Sequence, residues 1–185
     1  MKLVFMFVIF SVCMTGCMTM GSGSPSDKRA VIQSMKNKTL VELYQRRPEA
    51  QGLIGRSKGY AVFSNANVNL LLASFGAGYG VVIDNNTGKN TYMNMGELGL
   101  GIGLGVKDFR IIMAFHTKQS LTRFLEHGWA FGGQADAAAK AGDKGEAIGK
   151  EITVDDVTLF QLTENGLALQ ATIKGTKFWP ADELN

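Results

Sequence analysis

Residues 95–117 read MGELGLGIGLGVKDFRIIMAFHT, and the fold turns on how this stretch is parsed. Glycine recurs at 99, 101, 103 and 105, with Leu98, Leu100, Ile102, Leu104 and Val106 between them. A period of two is the signature of a β-strand, here with one face of bare backbone. Such a face admits a helix, a second sheet or a ligand at close range. Phe109 to Thr117 is continuous and mostly apolar, as expected of a strand buried on both faces. The two arms are joined by Lys107-Asp108, so the stretch predicts a β-hairpin with a two-residue connection.

The remainder of the chain is read against that sheet. At 185 residues, with 45% hydrophobic and 19% charged content, it has room for one domain with a substantial core. Its 23 glycines and only three prolines show no tripeptide period, which excludes a collagen-like chain. The first sixteen residues look like a secretory signal. Met1-Lys2 is a short basic start, residues 3–12 form an apolar run too short to span a bilayer, and small residues follow. The run ends Met14-Thr15-Gly16-Cys17, which resembles a bacterial lipobox with Cys17 as the lipidated residue; a plain secretory signal is the alternative. Met18 rather than aspartate follows Cys17, as in lipoproteins sent on to an outer membrane. Cys13 and Cys17 are the only cysteines, so the domain after them has no disulfide, thiol nucleophile or cysteine metal site.

Residues 17–25 are expected to form a flexible tether reaching roughly 15 Å from the lipid, and residues 26–185 the domain. Ser24-Pro25 reads as a helix start, Thr39 with Glu42 as the capping box of a second helix, and Pro48 as the start of a third. Three short amphipathic helices are therefore expected before any strand. Strands are expected over residues 60–64 and 68–75, then through Gly76, Gly78 and Gly80 to Asp84, where Asp84-Asn85-Asn86-Thr87-Gly88 is a turn. Residues 91–95 suggest a brief edge strand. Ser120 reads as the cap of a two-turn helix stopped by Gly128, residues 141–153 as an exposed loop, and residues 157–163 and 167–174 as a hairpin about Asn165-Gly166. The sum is an α+β domain with a curved, mainly antiparallel, barrel-like sheet and one inserted helix.

No reaction is spelled out. A dinucleotide fingerprint would need glycine at 104, where leucine stands. His116 and His127 are the only histidines and fall in different elements, so no metal site is expected. Asp143 and the Asp155-Asp156 pair read as a solvated loop edge. Charge is more informative. Between Asp27 and Lys58, Lys28, Arg29, Lys36, Lys38, Arg46, Arg47, Arg56 and Lys58 stand against three acids, a net of +5; from Gly59 onward the net is −3. The basic end is the tethered one. Near an anionic bilayer each such cation contributes about 1 kcal/mol, screened by salt. Nucleic acid is a poor partner, since aromatic residues are not interleaved with the basic ones.

The order of features also resembles the SYLF-domain family. The run is Lys58-Gly59-Tyr60-Ala61-Val62-Phe63, then Gly76/Gly78/Gly80, Gly99-Leu100-Gly101-Ile102-Gly103, Gly132-Gly133, Ala141-Gly142, and Asn165-Gly166-Leu167 with a final Asn185. It covers roughly residues 40–185. Where the family commonly has Trp-Ser and a proline, this chain has Thr91-Tyr92-Met93-Asn94. The resemblance implies an α+β fold with a barrel-like sheet, no catalytic residues, no cofactor, and affinity for lipid, with phosphoinositides preferred in eukaryotic members. For an envelope protein the transferable part is binding to anionic phospholipid headgroups. Two further readings stand beside it: an envelope lipoprotein that docks a protein partner through its sheet or the 141–153 loop, and a carrier of an acyl chain inside the sheet.

Overall fold

The computed structural model describes residues 23–71, 73–99, 103–128, 152–154, 156–163, 166–167 and 176–185. The expected signal peptide, Cys17, most of the expected tether, residues 141–151, Asp143 and Asp155 lie outside them. A helical layer comes first. Helix α1 (Pro25–Arg46) opens on a capping box in which Ser24 and Asp27 satisfy each other's backbone N–H groups. Pro25, expected in the tether, is thus already helical. The helix runs unbroken through Thr39, which corrects the expectation of two helices here. Thr39 is fully buried and its hydroxyl meets Met35 Sδ at 3.6 Å, so packing has overridden a local capping signal. Pro48 does begin α2 (Glu49–Arg56).

The strands are β1 (Gly59–Leu71), β2 (Ala73–Asp84), β3 (Asn90–Gly99), β4 (Gly103–Phe115), β5 (Ile152–Val154), β6 (Val157–Thr163), β7 (Gly166–Leu167) and β8 (Thr176–Pro180). Helix α3 (Lys118–His127) is inserted after β4. All described pairings are antiparallel, in the order β5-β6-β4-β1-β2-β3-β8, with β7 beside β6. The protein is α+β with a curved antiparallel sheet, and among the described strands that sheet is open rather than closed into a barrel.

The expected central hairpin does not form. Lys107 and Asp108 lie within β4, opposite Asn67 and Ala66 of β1. β3 and β4 are separated by β1 and β2, so the chain leaving Gly99 re-enters the sheet three strands away. β1 is likewise one strand rather than a short piece followed by another. β3 is internal, between β2 and β8, not an edge. Helix α3 is capped by Thr117, whose hydroxyl accepts from the Ser120 N–H at 3.2 Å. Gly128 ends it with φ +60°, a value that favours glycine. Residues 152 and 153, expected in a loop, belong to β5. Of the hairpin expected about Asn165-Gly166, the described residues hold the pairs Leu162 with Leu167 and Thr163 with Gly166; Asn165 and residues 168–174 lie outside them.

The sheet buries both faces. On one, α1 and α2 lay Leu43, Ala50 and Ile54 onto Val62, Ile112, Ala114, Phe160 and Leu162, while Ile32 meets Val81, Ile83 and Tyr92. On the other, Leu121 and Phe124 of α3 join Phe63, Phe115, Met93, Met95 and Phe178. Curvature is explicit here. β1 and β8 are three strands apart, about 14 Å on a flat sheet, yet the Phe63 and Phe178 rings lie 4.7 Å apart. Gly80 sits beneath the Phe63 ring between them, and a Cβ there would collide with the ring and the Val62 carbonyl.

Candidate functional site

Ile32, Thr39 and Leu43 form the buried stripe that fixes the rotation of α1. At 100° per residue, Lys28, Lys38 and Arg46 fall on one side of that stripe, and Arg29 and Lys36 on the other. The first side faces the far ends of the strands. Glu42 there takes hydrogen bonds from Arg46 Nη2 at 3.1 Å and from Arg110 Nη1 of β4 at 2.5 Å. The second side faces the near end, where Arg29 donates to the Leu184 carbonyl at 3.3 Å and Gln33 to the Tyr92 hydroxyl at 3.1 Å. Arg47, at the end of α1, pairs with Glu49. Arg56 and Lys58 stand where α2 passes into β1, both exposed.

All eight predicted cations therefore belong to the helical layer and its junction with β1, but they form two flanks and a corner rather than one cluster. Among the described residues Lys28, Arg29, Lys36, Lys38, Arg56 and Lys58 carry no ion pair. Burial of the Lys36 stem holds its ammonium below lysine's ordinary range. The same layer raises Tyr44 and Tyr60 above the usual phenol range, chiefly by desolvation. Arg110 was not among the sequence candidates. It is 68 residues from Glu42 in the chain, and the one signal that could have found it is strand parity, since it shares a face with Ile112 and Ala114.

The residues weighed for chemistry are dispersed. His116 Nε2 lies 2.7 Å from Thr158 Oγ1, while His127 sits exposed at the end of α3, its ring 4.0 Å from Glu126. Among the described residues no three His, Cys, Asp or Glu side chains come together as metal ligands. Asp156 has φ 62° and its carbonyl accepts the His116 N–H at 2.8 Å, a turn role. Asp84 accepts from the Asn86 and Thr87 N–H groups at 2.8 and 3.2 Å, which hold its carboxyl below the ordinary aspartate range. Among the described residues no helix is long and apolar enough to cross a membrane.

No family model matches the chain. It is similar to Beta cell expansion factor A from Aeromonas veronii, with 31% identity over 156 residues that cover 83% of this chain. The match spans 57% of that relative's own length.

Proposed function

We propose that this is a non-catalytic, lipid-anchored envelope protein whose helical layer engages anionic phospholipid headgroups. The observation that carries the reading is the placement of all eight cations on the layer that directly follows the lipobox-like Cys17, with six of them free of ion pairs among the described residues. Acylation at Cys17 would hold that layer within roughly 15 Å of the bilayer, so anchor and charge act on the same surface. Each unpaired cation contributes about 1 kcal/mol next to anionic lipid, and several together suffice for salt-sensitive adhesion. The resemblance to the SYLF-domain family points the same way, and an outer-membrane site facing the periplasm is the address that Met18 suggests.

The test is co-sedimentation of residues 18–185, which hold every described element and all three buried clusters, with phosphatidylcholine vesicles with and without phosphatidylglycerol. Lys28, Lys38 and Arg46, then Lys36, Arg56 and Lys58, are changed to glutamine in groups. Loss of sedimentation in the variants, and in the parent at high salt, is expected. Equal sedimentation by parent and variants at every salt concentration rejects the surface.

A further inference from the structure

Helix α1 crosses the sheet, and its direction follows from what each end touches. Leu43 clusters with Val62, Ile112 and Phe160 of β1, β4 and β6. Ile32 clusters with Val81, Ile83 and Tyr92 of β2 and β3 and with Ala181 and Leu184, which follow β8. The N-terminus of α1 therefore points at the β8 edge. From Ile32 back to Pro25 is seven residues, about 10 Å of helix, or about two strand spacings. That carries Ser24 to β8 or past it, and the Arg29 bond to the Leu184 carbonyl holds the helix end there. The chain that joins Cys17 to the domain enters at this edge.

The same edge leaves an aromatic ring in solvent. Along β8, Thr176 and Phe178 are buried while Lys177 and Trp179 are exposed. Alternation puts Trp179 on the face that α1 covers, in a row with Ser64, Tyr79 and Asn94. The benzo edge of its indole lies over Gly96, where a Cβ would stand 3.1 and 3.2 Å from two ring carbons. The ring is laid against the sheet, yet 40% of the residue is exposed. Among the described residues Val31, Val41 and Trp179 are the large apolar side chains left exposed, and all three belong to α1 or to the sheet face beneath it.

We propose that Trp179 is an interfacial anchor, its indole seating at the boundary of headgroups and acyl chains in one leaflet when the helical layer meets the bilayer. The anchor rests on the membrane reading above and adds a contact that the cations do not supply. Charge does not recruit this corner, where the side chains of Lys28, Arg29 and Lys177 are offset by those of Asp27, Asp182 and Glu183. What selects a lipid surface as the occupant is the tether, which enters here and holds the edge within roughly 15 Å of an acylated Cys17. An indole suits that depth, since its ring is apolar and its N–H donates, so that it prefers the interface to water or to hydrocarbon. Contact with Gly96 already restrains the ring, and seating it orders little more. Apolar burial is not screened by salt, whereas attraction of the cations to headgroups is. The anchor therefore multiplies partition by a factor that salt leaves unchanged.

Trp129 and Trp179 are the only tryptophans, so Trp129→Phe in residues 18–185 leaves Trp179 as the sole reporter. Its emission is read with phosphatidylcholine–phosphatidylglycerol vesicles, with and without doxyl groups high on the acyl chains. The control is Thr122→Trp, an exposed position of α3 on the opposite side of the sheet, in a chain whose two native tryptophans are changed to phenylalanine. A blue shift and severalfold quenching by doxyl are expected for Trp179, and neither at position 122. Trp179→Ala, compared with the parent by sedimentation at matched thermal stability, should weaken partition severalfold, by the same factor at every salt concentration where binding is measurable. If the protein sediments but Trp179 is neither shifted nor quenched, or position 122 responds equally, the anchor is refuted and headgroup binding stands. Unchanged partition of Trp179→Ala, or a loss that shrinks as salt rises, refutes it too. So does emission that is blue-shifted before vesicles are added and depends on protein concentration, since a second copy then covers the indole. Failure to sediment at any salt concentration removes both readings.

Discussion

Glu42→Gln separates the cost of the helical layer from its use. The Glu42 carboxylate is shared by Arg46 and Arg110, with Glu42 28% exposed and each arginine 42% exposed. Glutamine retains one carbonyl acceptor, so one guanidinium keeps a neutral partner and the other turns to solvent. Half-exposed pairs of this kind are worth about 0–1 kcal/mol, and the variant should lose no more than about 1 kcal/mol in urea unfolding. The membrane reading predicts the opposite sign for binding. Removing one negative charge from the α1 flank that carries Lys28, Lys38 and Arg46 adds about 1 kcal/mol of attraction to an anionic surface, roughly a fivefold tighter partition. That gain should be present near 0.1 M salt, where the Debye length is about 10 Å, and gone near 1 M, where it is about 3 Å. The assay is vesicle co-sedimentation as a function of salt, paired with chemical unfolding of the same preparation. A less stable protein that binds more tightly only at low salt is the expected pair of results. An intact fold with unchanged or weaker low-salt binding refutes the argument that this flank faces lipid. Arg110→Gln is the complement and should weaken binding although it lies outside the basic segment of the sequence.

Three other outcomes follow from the core and the turns. Gly80→Ala places a methyl against the Phe63 ring and the fixed Val62 carbonyl, so thermal unfolding should show a loss of about 1–3 kcal/mol; a neutral result would mean the sheet is less tightly coiled there. Phe178→Ala removes a fully buried ring that touches Phe63 and Phe124 at 4.7 and 5.4 Å, and should cost about 3–5 kcal/mol, read by urea denaturation. The Asp84 carboxyl is held below its ordinary range by the Asn86 N–H first, so its contribution to stability is complete above about pH 3.9 and is lost as pH falls through the lowered folded value. Asp84→Asn should flatten the acid limb of a stability–pH curve in that window by lowering stability at neutral pH, where the ionised carboxyl contributes, and leaving the acid end close to the parent.

What could be read from the sequence follows the range of the forces involved. Strand parity is local, and so the alternation about the glycines, the buried run from Phe109 and the Asp84 turn are all visible in the chain. The Ser24 cap, Pro48 and Gly128 are local too. Pairing is not local. Lys107-Asp108 looks like a turn because charge interrupts two apolar arms, but the partner of β4 is β1, some forty residues earlier, and nothing within residues 95–117 reports that. The same limit hid Arg110. Thr39 failed for a different reason: a capping box competes with the burial of a whole stripe, and a net cap contribution of about 1 kcal/mol yields to packing across three strands.

That continuity of α1 is what gives the charges a direction. Ile32, Thr39 and Leu43 recur at intervals of seven and four and are all fully buried, so the helix cannot roll without exposing an apolar side chain, at about 1.5–3 kcal/mol each. With the rotation locked, Lys28, Lys38 and Arg46 stay on one side of the helix over 19 residues, roughly 27 Å of helix. Two independent short helices would let each cation group orient on its own and would average the field over the surface. One long helix clamped at both ends, by Ile32 against β2 and β3 and by Leu43 against β1, β4 and β6, instead holds a fixed positive edge. On the membrane reading that edge is the one that meets anionic lipid, and so breaking α1 by Thr39→Pro should abolish any binding gain from Glu42→Gln even where the sheet remains folded.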